Sequence, residues 1–180
     1  REAKAELIQF ERTVDPRLDI SAQWWDRLPD NWDTELEACR IDLLANEMNE
    51  TIKRIEKITG HVFDKDAFIN IMHLVNEQEN YYRLTRDLIA QTYPAPVSIV
   101  DTMPATMVPQ WHRGTKWARD AAKHFYEEVK NKAEAGEGVC RKESVRLMWV
   151  GRGMWSDMSF YQRWQESHGA VFVWSMYLGL

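Results

Sequence analysis

The sequence predicts a helix-dominated α/β fold. Two observations carry that reading: hydrophobic residues recur at helical spacing through most of residues 34–135, and after residue 144 the pattern shortens into two contiguous apolar runs separated by a glycine pair and a short helical stretch. On this basis residues 1–144 form a mainly helical region and residues 145–180 begin a parallel α/β unit, the two packed as one compact body.

Residues 2–12 are helix-permissive, but Pro16, Pro29 and the cluster Trp24-Trp25-Asp26 allow only short helices and turns before about residue 33. Thr34-Glu35-Leu36-Glu37 has the form of a capping box, after which Leu36, Ile41, Leu44, Met48, Ile52 and Ile55 mark a helix to Gly60. Cys39 within it is expected to be buried or half-buried. Asp64 caps a second helix whose face is Phe68, Ile71, Met72, Val75, Tyr82 and Leu88, ending near Tyr93. A short turn between helices of this length predicts a long antiparallel hairpin, with residues 76–80 crossing its solvent side. Prolines 94, 96, 104 and 109 exclude a long regular helix and leave one short helical stretch between them. Thr115 to about Ala135 is amphipathic, with Trp117, Ala121, His124, Phe125 and Val129 on one side, and Gly136-Glu137-Gly138 ends it.

Residues Val145 to Val150 are mostly apolar and closed by Gly151, which predicts a strand buried on both faces. Ser156 or Asp157 caps a helix over about 157–167, with Met158, Tyr161 and Trp164 on one face and Gly169 at its end. Ala170 to Met176 is a second apolar run. Strand, helix and strand in so few residues predict a right-handed crossover between parallel strands, the start of an incomplete Rossmann-like domain. Two such strands leave unpaired edges beside Trp149, Phe172 and Trp174, so further strands are expected after Leu180, in a longer polypeptide.

A net charge of −5 with both signs mixed along the helices argues against nucleic acid or an anionic membrane as partner. No apolar run approaches the roughly 20 residues that span a bilayer, and no signal-peptide pattern opens the chain, so a cytoplasmic location is expected. Cys39 and Cys140 are too far apart in sequence for a spaced metal motif or a disulfide framework, and both are expected as reduced thiols with no metal bound.

Gly151-Arg152-Gly153 stands at the carboxyl end of a parallel strand and before a helix, where open α/β sheets bind ligands. Glycines admit a close backbone approach, a helix start offers unpaired N–H groups, and Arg152 adds a fork for phosphate or carboxylate. Trp155 and Ser156 complete this candidate substrate site. The stretch lacks the third glycine of a dinucleotide fingerprint and the lysine of a P-loop, and a tight turn with an exposed arginine is the alternative reading. His112 and Arg113 form a second cationic pair, read either as phosphate contacts or as helix-entry residues facing water. His73 is an isolated acid or base candidate. No Ser/His/Asp order, HExxH pair or cysteine cluster is present in the sequence, so no catalytic residue is assigned.

The run RLMWVGRGMWSDMSFYQRWQESHGAVFVWSMYL, residues 146–178, together with MPATMVPQWHRG, residues 103–114, resembles the benzoyl-CoA reductase and 2-hydroxyacyl-CoA dehydratase family, nearest the second, B-type subunit of its ATP-dependent reductase branch. The resemblance implies a CoA-ester substrate and, for the reductase branch, low-potential dearomatisation of benzoyl-CoA to a cyclohexadiene carboxyl-CoA. It implies a sister subunit of the same family, separate ATP-hydrolysing subunits that deliver electrons, and an iron-sulfur cluster in the complete enzyme. In cluster-bearing relatives a cysteine ligand follows the strand matched by 170–176. Here Tyr177, Leu178 and Gly179 occupy those positions, so no ligand is carried over and no cofactor is expected on this segment. A 2-hydroxyacyl-CoA dehydratase subunit is the alternative within the family, and a non-catalytic helical interaction domain the alternative outside it.

Overall fold

The computed structural model describes residue 8 and residues 23–35 and 38–179. The expectations for residues 2–7 and 9–22 and the Thr34–Glu37 capping box fall outside what is described. The chain divides into two compact units, residues 1–64 and Lys65–Leu180. The division falls between the two long helices, so the helices after residue 64 share a unit with both strands.

In the first unit, α1 (Trp24–Glu35) contains Pro29 and carries its interruption at Asn31, whose backbone is non-helical at φ −134° and ψ 31°. Helix α2 (Ala38–Thr59) ends at Gly60, whose positive φ of 73° closes the last turn through its N–H on the Glu56 carbonyl at 2.8 Å. No described residue of α2 is buried, and Cys39 is exposed, against the expectation of a buried or half-buried thiol.

The second unit runs α3 (Lys65–Gln91), α4 (Ile99–Gln110), α5 (Lys116–Glu134), β1 (Val145–Trp149), α6 (Ser159–His168), β2 (Ala170–Ser175) and a 3₁₀ turn (Met176–Gly179). Within this unit α3 packs chiefly against α5. Its buried face is Val75, Gln78, Tyr82, Thr85 and Ile89, while Phe68, Ile71 and Met72 are exposed. The expected apolar face is therefore half right: two polar residues belong to the buried stripe, and Gln78 lies in the segment expected to be solvated. On α5 the expected face holds at Val129 and Phe125 and shifts by one position at its start. Ala118, Ala122 and Val129 are buried, whereas Trp117 and His124 are exposed. Small residues there let α5 approach α3 closely.

The four-proline segment holds a full 12-residue helix, longer than the short stretch expected. Two local devices explain it. Ser98 and Asp101 form a capping box, with the Ser98 hydroxyl accepting from Val100 N at 3.3 Å and the Asp101 carboxylate accepting from Ser98 N at 2.9 Å. Pro109 lacks the N–H that would bond the Ala105 carbonyl, and the buried Tyr82 hydroxyl donates to that carbonyl at 3.2 Å instead.

Strands β1 and β2 pair in parallel from Val145↔Ala170 to Trp149↔Ser175, with an irregularity after Leu147. Among the described residues they are a two-stranded sheet. β1 is not buried on both faces as expected: Val145 and Met148 are exposed, because β2 covers one edge and α6 and α4 pack mainly on β2. An aromatic cluster of Trp149, Tyr161 and Phe172 joins the strands to α6, with ring centroids 5.2–5.9 Å apart in edge-to-face pairs. Gly169 ends α6 at φ 64°, in direct approach to the Lys142 carbonyl where no side chain fits.

Glu143 and Arg146 pin β1 to the end of α3. Glu143 is buried and accepts from Ala95 N at 2.6 Å while pairing with Arg146. Arg146 also donates to the carbonyls of Ile89 at 3.0 Å, Ala90 at 3.3 Å and Thr92, which are those left open at the α3 terminus. Replacing Arg146 by Met should cost about 3 kcal/mol by leaving a buried carboxylate unpaired. Adding Glu143→Gln, which keeps an acceptor for Ala95 N, should recover much of that. Urea midpoints of the two variants measure it, and an additive double variant would remove the pair from this role.

Candidate functional site

The turn over residues 150–158 leaves the carboxyl end of β1 and enters α6, beside the carboxyl end of β2. Three aromatic side chains fix its backbone. Trp149 Nε1 donates to the Arg152 carbonyl at 2.8 Å. The Tyr177 hydroxyl, in the 3₁₀ turn after β2, accepts from Gly153 N at 2.8 Å, and the Tyr161 hydroxyl accepts from Met154 N at 3.0 Å. Trp155 then lies edge-on to Tyr177, ring centroids 5.5 Å apart, and gives its indole N–H to the same hydroxyl at 3.3 Å.

Gly153 is in close packing: a Cβ there would run into the Met103 methyl and come 3.1 Å from Tyr177, so the end of the Met103 side chain would have to move. Gly151 is needed for conformation, at φ 121°. The close approach therefore serves packing against α4. The N–H groups of Gly153 and Met154 are already bonded to tyrosines, which corrects the expectation that this turn presents an open backbone cradle. Arg152 and Ser156 are exposed, with the Arg152 side chain turned to solvent. Ser156 is not the helix cap. Helix α6 starts at Ser159, and the Asp157 carboxylate binds Ser159 Oγ and Arg163 Nη2, which hold its pKa below the ordinary range.

His112 and Arg113 do not join this turn. Met103 touches Gly153, and from Met103 to Gln110 helix α4 rises roughly 10 Å before either residue is reached. Arg113 Nη2 stands 2.9 Å from Glu79 Oε1, an ion pair by distance whose alignment falls short of a hydrogen bond. His112 packs edge-on to Trp117, centroids 4.9 Å apart. This second cationic pair is thus partly engaged within the fold. Burial pushes the Glu79 carboxyl up, against the pull of Arg113 and Arg86, and burial pushes the neighbouring Tyr82 phenol up to about 12. His73 is exposed on α3.

Cys39 and Cys140 are both free and belong to different units, and among the described residues no group of three or more His, Cys, Asp or Glu side chains is placed to hold a metal ion. No helix among them is long and apolar enough to cross a membrane. A cleft of about 500 Å³ lies at the opposite end of the strands, lined by Cys140, Arg141, Lys142, Gln165 and His168 among others.

The residue that sequence reasoning misses as a contact is Tyr177, which the sequence marks only as following the second apolar run. Ser175, the last residue of β2, is missed as well: its hydroxyl is fully buried without a hydrogen-bond partner among the described residues. Tyr161 reads as a core position, and its hydroxyl bond to the turn carries no signal at that spacing.

The family model described as "2-hydroxyglutaryl-CoA dehydratase, D-component" matches residues 24–179. The (R)-2-hydroxyisocaproyl-CoA dehydratase alpha subunit of Clostridioides difficile is 26% identical over 173 residues, covering 96% of this chain and 42% of that protein. The (R)-phenyllactyl-CoA dehydratase alpha subunit of Clostridium sporogenes is 26% identical over 151 residues, covering 83% and 37%. The chain spans about two fifths of the length of these curated relatives.

The Glu79 environment generates a pH-dependent prediction. A carboxyl whose folded pKa is raised is neutral in both states in acid, and costs stability as pH rises and it must ionise in the fold. Glu79→Gln should therefore match the parent chain below about pH 4 and be more stable at pH 7, by up to about 1 kcal/mol. A variant less stable at pH 7 would show that the ion pair with Arg113 outweighs burial.

Proposed function

The chain belongs to the 2-hydroxyglutaryl-CoA dehydratase, D-component family, and from that premise we propose that it forms part of an alpha-type subunit of a 2-hydroxyacyl-CoA dehydratase, which removes water from a 2-hydroxyacyl-CoA thioester. The observation that carries this reading is the family match over residues 24–179. Two dehydratase alpha subunits at 26% identity support it. Benzoyl-CoA reduction, the first expectation from the resemblance, gives way to the dehydratase alternative because neither the family match nor these relatives offer it support.

On this reading the turn over 150–158 is the part of the segment that meets the CoA ester. Arg152 is its exposed cation and contacts a phosphate or the ester region, while Trp155 and Tyr177 form an aromatic wall. A sister subunit and separate ATP-hydrolysing, electron-delivering subunits complete the enzyme. Its iron-sulfur cluster supplies the electron. The described residues of this chain do not fit such a cluster, since their two thiols lie in different units and no third ligand gathers around either. The cluster is therefore held by other residues of the assembly.

The test is a titration of the complete enzyme containing this chain with a 2-hydroxyacyl-CoA, the corresponding acyl-CoA without the hydroxyl, and benzoyl-CoA. The 2-hydroxyacyl ester should bind best and alone be dehydrated. Arg152→Ala should weaken it by about threefold to tenfold, with a shallower salt dependence. Preferred binding and reduction of benzoyl-CoA would move the chain to the reductase branch, and no CoA-ester binding would leave an interaction domain. Anaerobic reconstitution of the chain alone should leave it colourless. Stoichiometric iron and sulfide that disappear on replacing Cys39 or Cys140 would overturn the placement of the cluster elsewhere.

A further inference from the structure

We propose that the Tyr177 hydroxyl is a substrate contact that donates a hydrogen bond to the thioester carbonyl oxygen of the bound acyl-CoA, an inference that rests on the reading of the chain as a CoA-ester enzyme. A phenol oxygen has one hydrogen to give and two lone pairs with which to accept. Both lone pairs of Tyr177 are engaged, by Gly153 N at 2.8 Å and Trp155 Nε1 at 3.3 Å. What the hydroxyl has left is its hydrogen, and among the described residues nothing accepts it. Tyr177 is half-buried, so that hydrogen remains within reach of a ligand.

Tyr161 makes the contrast. Its hydroxyl also accepts from the turn, but the residue is 1% exposed and no ligand reaches it. Tyr177 instead stands at the carboxyl ends of two parallel strands, the end at which open α/β sheets hold their ligands. Its ring is held edge-on by Trp155 and backed by Gly153 and Met103, so the donor is oriented before any ligand arrives.

The acceptor is set by what the hydroxyl cannot do. With both lone pairs used it pairs best with a group that only accepts, and in a CoA ester the acyl oxygen of that kind is the thioester carbonyl. A substrate 2-hydroxyl is a poorer match, because accepting here would oblige it to send its own proton to a third group. The contact is therefore to the part shared by every acyl-CoA, and it acts on affinity and orientation, not on the choice of acyl chain.

The experiment measures binding to the complete enzyme and to its Tyr177→Phe variant, using an acyl-CoA and the matching S-alkyl-CoA thioether, in which a methylene replaces the carbonyl. Losing the ties to Gly153 N and Trp155 Nε1 weakens both ligands alike, and the variant should lose about tenfold more for the ester than for the thioether, the worth of one hydrogen bond of about 1.4 kcal/mol. Equal losses for ester and thioether would make Tyr177 a structural tie of the turn and overturn the inference. So would an unchanged affinity for the ester. Absence of binding to either ligand by the parent enzyme is the distinct result that sinks the CoA-ester reading itself, and this inference with it.

Discussion

Much of the second unit depends on where one guanidinium sits. Arg146 is the second residue of β1, yet its hydrogen bonds go to the last carbonyls of α3 and to Glu143 just before the strand. A cation at that helix end meets the negative pole of the helix as well as its unpaired oxygens. Tyr93 closes the arrangement from below, with Arg146 5.7 Å above its ring centroid and its hydroxyl on the Glu143 carbonyl at 2.9 Å. The start of β1 is thereby fixed relative to α3. Since a five-residue strand advances only about 16 Å, the place where Trp149 hands over to the turn is fixed with it.

Helix α4 fixes the other side of the same turn. Proline in a helix interior normally costs a hydrogen bond and bends the chain. Here the carbonyl released by Pro109 is taken by Tyr82 from α3, so the helix stays anchored at the position where its regular bonding fails. The opposite half of α4 carries Ile99 and Met103 into the cluster with Tyr161 and Phe172, and Met103 backs Gly153. The turn is thus clasped between β2, α4 and α6, and its two tyrosine hydroxyls are bonded inward to it. With the amides of Gly153 and Met154 already bonded, the middle of the turn presents side chains to a ligand.

Boundaries and fold class are legible in the sequence because they rest on local chemistry. Gly60, Gly136 and Gly169 all take positive φ at helix ends, Thr115 caps α5 through its hydroxyl, and the parallel pairing of 145–149 with 170–175 accords with the shortened apolar runs. The failures share a different origin. Gln78 is buried in a run of polar residues and Trp117 is exposed in an amphipathic helix, because small residues at 118 and 122 decide which side of α5 approaches α3. That is a matter of fit between two surfaces, and spacing along one of them does not contain it. The α4 helix is hidden by its prolines, although Ser98 and Asp101 spell a capping box. Of the candidate site, the turn is legible from its glycines and its place after a strand. Its bonding to Tyr161 and Tyr177 is not, since these contacts join residues 7 and 24 positions apart through tertiary packing.

On the proposed reading, the shape of this turn also bears on what the segment contributes to binding a CoA ester. Its exposed guanidinium at 152 and indole at 155, with the half-buried phenol of Tyr177 beside them, are all suited to holding and orienting a ligand. Breaking a C–O or C–H bond on the acyl chain requires an electron source and a proton carrier, and the turn holds neither a thiolate nor a carboxylate aimed at the crevice. The nearest acid, Asp157, is committed to Ser159 and Arg163 at the start of α6. On the proposed reading the segment therefore supplies a grip on the thioester that is indifferent to the later bond-breaking step. Selection between a 2-hydroxyacyl chain and an aromatic ring then falls to residues that meet the acyl group beyond its carbonyl. Nothing in the geometry of the turn depends on which bond of the acyl chain is broken.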